Sequence, residues 1–141
     1  MPTPAFALSL ALSAAAASAP ESEFKLVVNA SNDAASLTEG EVGQYFLKKK
    51  AAWPGGQPVL AVDQSDESPV RRAFSKTVLK KDVATVKSYW QTQIFAGRGV
   101  PPPEKASDAA VLAFVEANAS AIGYVSAGAQ LSRGVRVVKV N

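Results

Sequence analysis

Apolar positions along the chain fall into two patterns, short runs of strand length and stripes at helical spacing. Phe24-Lys-Leu-Val-Val-Asn29 and Pro58-Val-Leu-Ala-Val62 are runs of the first kind and predict strands. Ala121-Ile-Gly-Tyr-Val125 and Val135-Arg-Val-Val-Lys-Val140 predict two more near the end of the chain. Helical stripes lie between them. Thr38-Glu-Gly-Glu41 has the spacing of a capping box. The helix behind it sets Val42, Tyr45 and Phe46 on one face and ends in Lys48-Lys49-Lys50, where cations suit the helix dipole. Trp53-Pro-Gly-Gly56 reads as a turn. Ser68 as N-cap and Pro69 at the first helical position open a second helix with Val70, Phe74 and Val78 at four-residue spacing. A third helix starts near Asp82 and aligns Val83, Val86, Trp90 and Ile94. Gly97-Arg-Gly-Val-Pro-Pro-Pro103 breaks regular structure through an extended polyproline stretch. Ser107-Asp108 then caps a helix whose Val111, Phe114 and Val115 face inward. Trp90, Phe95 and Phe114 are assigned to the core. Strands interleaved with helices predict an α/β protein with a single three-layer lobe.

Composition narrows the chemistry. A chain of 141 residues is enough for one domain and short for two. Cysteine and histidine are both absent, which removes disulfides, zinc sites, cysteine nucleophiles and Ser-His-Asp triads. A serine nucleophile would need Lys76 or Lys80 as its base, and lysines on a surface helix are ordinarily solvated charges. No catalytic residue, metal or cofactor is therefore expected, and the chain is read as a non-enzyme. The net charge of +3 assists the approach of anions without amounting to a nucleic-acid signature. The lysine cluster beside Trp53 is read as a helix end, and no nucleic-acid partner is expected.

Charge placement carries a further signal. No charged side chain precedes Glu21, and residues 5–19 form an apolar, Ala- and Ser-rich run ending in Ala-Ser-Ala. That pattern predicts a cleavable signal peptide over residues 1–19 and export to the periplasm. The run is too short and too rich in small residues for a membrane span, which needs about 20 strongly apolar residues.

The most informative stretch is the strand-to-helix turn from Asp63 to Arg72. Such a turn aims unpaired backbone N–H groups and the positive end of the helix dipole at one point, where anions bind. Ser65, Asp66, Ser68, Val70, Arg71 and Arg72 are the candidate ligand-binding residues. Asp63, Asp66 and Glu67 lie so close in sequence that they read as loop and helix caps rather than as a metal site.

An ordered series of motifs carries a resemblance. Leu37-Thr38, Glu41-Val42, Tyr45-Phe-Leu-Lys-Lys49, Trp53-Pro-Gly-Gly56, Ser65-Asp66, Ser68, Phe74 and Ala121-Ile-Gly-Tyr-Val125 follow one another. Together they resemble the second lobe of the phosphate-type periplasmic substrate-binding proteins, the solute receptors of ATP-driven phosphate importers. The resemblance spans residues 24–141 and implies a lobe of the type 2 periplasmic binding protein kind. It also implies a phosphate-like oxyanion as ligand and an ABC permease or envelope sensor as partner. In that family the loop reads Arg-Ser-Asp-Gly-Ser-Gly-Thr, and Ser65, Asp66 and Ser68 match by position. Gln64 replaces the arginine, Glu67 a glycine, and Pro69-Val70 the Gly-Thr pair; Arg71 or Arg72 is expected to restore the positive charge. Receptors of the family close two lobes on the solute. One lobe offers half a cleft, so weak binding and a weak homodimer are expected. Two readings stay open: an exported oxyanion-binding module, and a ligand-free interaction subunit of the cell envelope.

Export is checked by mass spectrometry of the protein from its native envelope. The expected N-terminus falls between Ala17 and Phe24, and an intact Met1 in the cytosol contradicts it.

Overall fold

A computed structural model of the protein describes residues 23–141, so the expected leader lies outside the described residues. Phe24–Asn29 forms β1 with the bounds predicted. It is the central strand of a five-stranded sheet, antiparallel to both Ala121–Ser126 and Val135–Val140. Two-residue strands complete the sheet. Ser36–Leu37 (β2) runs parallel to the last strand at one edge, and Leu60–Ala61 (β3) runs parallel to Ala121–Ser126 at the other. Leu26 and Val28 enter one apolar cluster, and Val27 enters the other. Ile122 and Tyr124 likewise face the first cluster, Ala121 and Val125 the second. Unbroken apolar runs occur here because both faces of the sheet are covered. The three-layer α/β arrangement predicted from the interleaved pattern is the one observed.

The larger cluster is closed by three helices. In α1 (Glu39–Phe46) the capping box forms as read: Glu41 N–H donates to Thr38 Oγ1 at 3.1 Å, and Thr38 N–H donates to Glu41 Oε1 at 3.3 Å. Val42, Tyr45 and Phe46 are buried. The helix stops before the three lysines, and Lys48 adopts a left-handed φ of 56°. The Lys49 and Lys50 ammonium groups lie over the rings of Tyr89 and Tyr45 at 5.9 and 5.5 Å. The helix from Pro69 runs as α2 (Pro69–Phe74) and then widens into a π turn, Ser75–Leu79. Its Phe74 stacks on Tyr124 with centroids 4.0 Å apart and meets Phe46 at 4.6 Å.

The third helix, α3 (Val83–Phe95), is capped by Asp82, whose carboxylate accepts from Thr85 N–H at 2.7 Å. Its predicted stripe is only half used. Val86 and Trp90 are buried, whereas Ile94 is 50% and Phe95 93% exposed. Phe95 is therefore not a core residue, because the final turn of α3 extends past the elements it packs on. Phe114 is half-buried against the second cluster.

That second cluster is covered by one helix, α4 (Asp108–Ala117), with Val111 and Val115 inward and Ser107 accepting from Ala110 N–H at 3.1 Å. Its close approach to the sheet depends on Gly123. A Cβ at that position would meet Val111 Cγ1 and Val62 Cγ1 at 2.8 Å and Val115 Cγ2 at 3.4 Å. Alanine at an ordinary strand position raises stability, but Gly123→Ala must push α4 outward. The expected loss is about 1–3 kcal/mol, read as a lower denaturation midpoint at unchanged slope. An unchanged or raised midpoint contradicts this packing.

Candidate functional site

The predicted strand 58–62 is cut into pieces, and the cut builds the site. Pro58 makes an isolated bridge to Ala52, and β3 covers only Leu60–Ala61. Val62 N–H still donates to Ile122 O at 2.9 Å, but the next residue leaves the sheet. Asp63–Gln64 (β4) pairs in parallel with Glu104–Lys105 (β5), with Asp63 N–H on Pro103 O at 2.8 Å and Ser65 N–H on Lys105 O at 2.9 Å. The second small sheet was not foreseen, since a two-residue strand after three prolines has no period to read. The remaining long strands are numbered β6 (Ala121–Ser126) and β7 (Val135–Val140).

A buried carboxylate sits where the chain changes sheets. Asp63 is 6% exposed and accepts from the Tyr124 hydroxyl and, at 3.0 Å, from Gln64 N–H. Arg71, 4% exposed, places its Nε 3.3 Å from Asp63 Oδ1. Its Nη1 donates to Glu104 Oε1 at 2.7 Å and to Gln64 O at 2.8 Å. Burial holds the Asp63 carboxyl above the usual carboxylate range, although Arg71, Tyr124 and Gln64 N–H all pull it down. Burial also disfavours the Arg71 charge, but Asp63 and Glu104 more than offset it and the guanidinium stays above its ordinary value. Burial and the adjacent Asp63 push the Tyr124 hydroxyl far up, so Tyr124 remains a donor.

Beside this network the turn opens into a shallow cavity of about 410 Å³. Its wall includes Ser65, Glu67, Ser68 and Pro69 from the turn, Ser107 and Asp108 from the start of α4, and Ser126 from the end of β6. Gln64 holds the two sides together. Its amide donates to Asp108 Oδ1 and to Tyr124 O, both at 2.9 Å, and accepts from Ser68 Oγ at 3.1 Å. Asp108 Oδ1 also accepts from Ser126 N–H at 3.1 Å. The Ser68 backbone occupies the N-cap, but its hydroxyl makes no cap hydrogen bond because it points to Gln64.

The structure brings together only part of the predicted set. Ser65 and Ser68 line the cavity. Asp66 lies outside the wall and pairs with Lys87, which holds its carboxyl below the usual range. Val70 is 3% exposed in the larger core cluster. Arg71 turns inward to Asp63, and exposed Arg72 lines a different cavity, donating to Glu67 O at 3.4 Å. Neither arginine lines the turn's cavity, since the carboxylate of Asp63 captures one and the other reaches only the Glu67 carbonyl while lining a different cavity. Ser107 and Asp108 read in sequence only as a helix cap, and Ser126 lies one residue past the predicted strand. Their role in the wall follows from tertiary contacts about 40 residues or more from the turn in sequence.

Comparison with known proteins finds this fold in solved structures. One is a protein from Clostridium perfringens, solved with bound phosphate and assigned to the phosphate ABC transporter substrate-binding proteins. It matches with a TM-score of 0.65 at 23% identity, over 83% of this chain and 44% of that one. An ABC-type phosphate transport receptor from Vibrio cholerae matches at 0.65 with 17% identity, over 83% and 45% of the two chains. PstS from Borrelia burgdorferi matches at 0.66 with 12% identity, over 84% and 47%. The chain spans less than half the length of each of these structures. No family model matches it, and no curated protein matches it in sequence. The protein thus has the α/β fold of a lobe of the periplasmic phosphate-binding proteins.

The buried network predicts a stability effect with a defined pH dependence. Arg71→Ala leaves Asp63 without its cation and is expected to cost about 3–5 kcal/mol at neutral pH. The orphaned carboxyl then titrates higher still in the folded protein than in the unfolded chain. Between those two values the native state binds more protons, so the variant regains stability as pH falls. Urea melts of wild type and variant across pH 4–8 check this; a deficit that stays constant over the range contradicts it.

Proposed function

We propose that the chain is a single-lobe relative of the phosphate-type periplasmic binding proteins. It is exported through the leader over residues 1–19, acts in the periplasm through residues 24–141, and captures a small oxyanion at the turn between β4 and α2. The observation that supports this reading is the cavity itself. Two helix starts, at Ser68 and at Ser107, open onto one wall that also carries Ser65 and Ser126. Hydroxyls and helix N-terminal amides are the donors an oxyanion takes. The solved structure with bound phosphate has the same fold and lends the ligand class. Ser65 and Ser107 are assigned as donors, joined by Ser68 once its hydroxyl turns from Gln64 Oε1 to the ligand, whereas Asp66, Val70 and Arg71 shape the turn and Arg72 contributes only at long range.

Two carboxylates, Glu67 and Asp108, share the wall. A fully deprotonated sulfate meets them only with repulsion, while hydrogen phosphate can donate its proton to one. The site therefore favours a protonated oxyanion. Open to solvent and without an arginine, it binds weakly and its affinity falls with salt. A second copy of the chain, an ABC permease or an envelope sensor would supply the missing wall. The reaction class is capture and release, with no chemical step.

A second reading, a ligand-free interaction subunit, draws support from Gln64, whose amide N–H groups are both engaged within the protein, and from Arg71, whose Nη1 and Nε are held by Gln64 O, Glu104 and Asp63. Calorimetry separates the two. Wild type is expected to bind phosphate in preference to sulfate. Ser68→Ala, which loses a hydroxyl contact but no cap bond, is expected to weaken binding about tenfold while lowering stability by only about 0.5–1.5 kcal/mol. Gln64→Arg with Pro69→Gly restores a cation and an N–H at the turn and is expected to tighten binding. No oxyanion uptake at about millimolar concentration in either wild type or the rebuilt turn, a level where even weak sites fill, leaves the interaction reading in place.

A further inference from the structure

The helical layer carries a second cavity, of about 580 Å³, that oxyanion capture does not use. Its wall is made by Arg72, Lys76, Lys80, Lys81, Asp82 and Val83. All four cations are exposed. Glu39 pairs with Lys80 at 2.9 Å, and the Asp82 carboxylate is turned to its own helix as the cap of α3, so positive charge is in excess.

The backbone that presents these cations is unusual. A regular helix would set Arg72, Lys76 and Lys80 on one convex stripe and direct Lys81 elsewhere. Instead α2 widens into the π turn and ends at Lys80 with φ 57°, a left-handed conformation that disfavours a side chain. Buried Ser75 holds the turn, its hydroxyl donating to Lys81 O at 2.6 Å while Lys81 N–H donates to Ser75 O at 3.3 Å. The result folds Lys81 and the start of α3 back toward Arg72 and Lys76 and makes a concave basic wall. Strained turns and π turns concentrate at functional positions.

We propose that this wall is a docking surface for an acidic peptide segment, rich in Asp and Glu, on a partner protein. Complementary charge selects the sign of the partner. Concavity selects its shape, since a cavity of this size admits side chains between the lysine stems, with Val83 among its lining residues. A bilayer is flat and asks for a convex, amphipathic face with large apolar residues to insert, which this wall lacks. A lone small anion would find only flexible, exposed ammonium and guanidinium groups and no buried donor.

Fluorescence anisotropy of a labelled octaglutamate peptide on the full chain tests the assignment. Binding is expected at low salt and to weaken steeply toward 150 mM, on the order of physiological ionic strength. The double variant K76E/K81E is expected to lose at least about tenfold in affinity, while K49E/K50E, with the same charge change at the end of α1, stays within about twofold. Far-UV circular dichroism checks both for folding, and R72Q/K76Q, with a smaller expected loss, replaces the first double variant if that one unfolds. Equal losses in the two double variants reduce the effect to net charge and overturn the proposal. No peptide binding by wild type overturns it as well. So does K76E/K81E-sensitive binding to phosphatidylglycerol vesicles without peptide binding, which would assign the wall to a membrane.

Discussion

The ion pair of Asp63 and Arg71, closed by the Tyr124 hydroxyl and Glu104, is the interaction on which the rest of this structure depends. Either charge left alone at this depth costs several kcal/mol, so the two must meet. Their meeting decides where the chain leaves the main sheet, which strand β5 joins, and how α2 is rotated about its axis. It also clamps Phe74 of α2 against Tyr124, so the aromatic cluster and the polar network share one residue. The helix start at Ser68 is held in place from below by charge and from above by Gln64.

The same interaction sets the electrostatics of the cavity. A guanidinium drawn inward to Asp63 cannot lie at the mouth, and Gln64 offers a neutral amide already bonded to Asp108, Tyr124 and Ser68. What remains for a ligand is a set of hydroxyls and helix N-terminal amides beside two carboxylates. In the proposed oxyanion site, discrimination would rest on hydrogen-bond pattern more than on attraction, which is the physical basis for proposing a protonated oxyanion over a fully ionised one. Positive charge is instead gathered on the wall of Arg72, Lys76, Lys80 and Lys81, none of which lines the turn's cavity. The proposed oxyanion site and the proposed docking wall thus draw on different residues around one short helical segment.

Much of this was legible from residue order. The capping box at Thr38 and Glu41, the helix start near Asp82, the cap at Ser107, and strand β1 are local in cause, because each follows from hydrogen bonds or periodicity within a few residues. Burial of Val42, Tyr45, Phe46, Val70, Phe74 and Val78 followed from spacing. The three-layer α/β class followed from the interleaving of these patterns, and the likeness to phosphate-receptor lobes from their order.

Tertiary structure alone decided the features that turn on contacts between distant segments. Whether Arg71 faces a ligand or a buried carboxylate depends on Asp63 and Glu104 arriving beside it. Phe95 sits in an apolar pattern but lies exposed, because a stripe states which face a helix could bury and not how far its neighbour extends. The π turn after Phe74 and the left-handed Lys80 arise where Ser75 finds Lys81 O, a bond no propensity encodes. Residue order thus determined the elements and their inward faces, since backbone hydrogen bonding and hydrophobic periodicity act over short range. The fold decided which charges face a ligand, because the desolvation of a charge is set by everything packed around it.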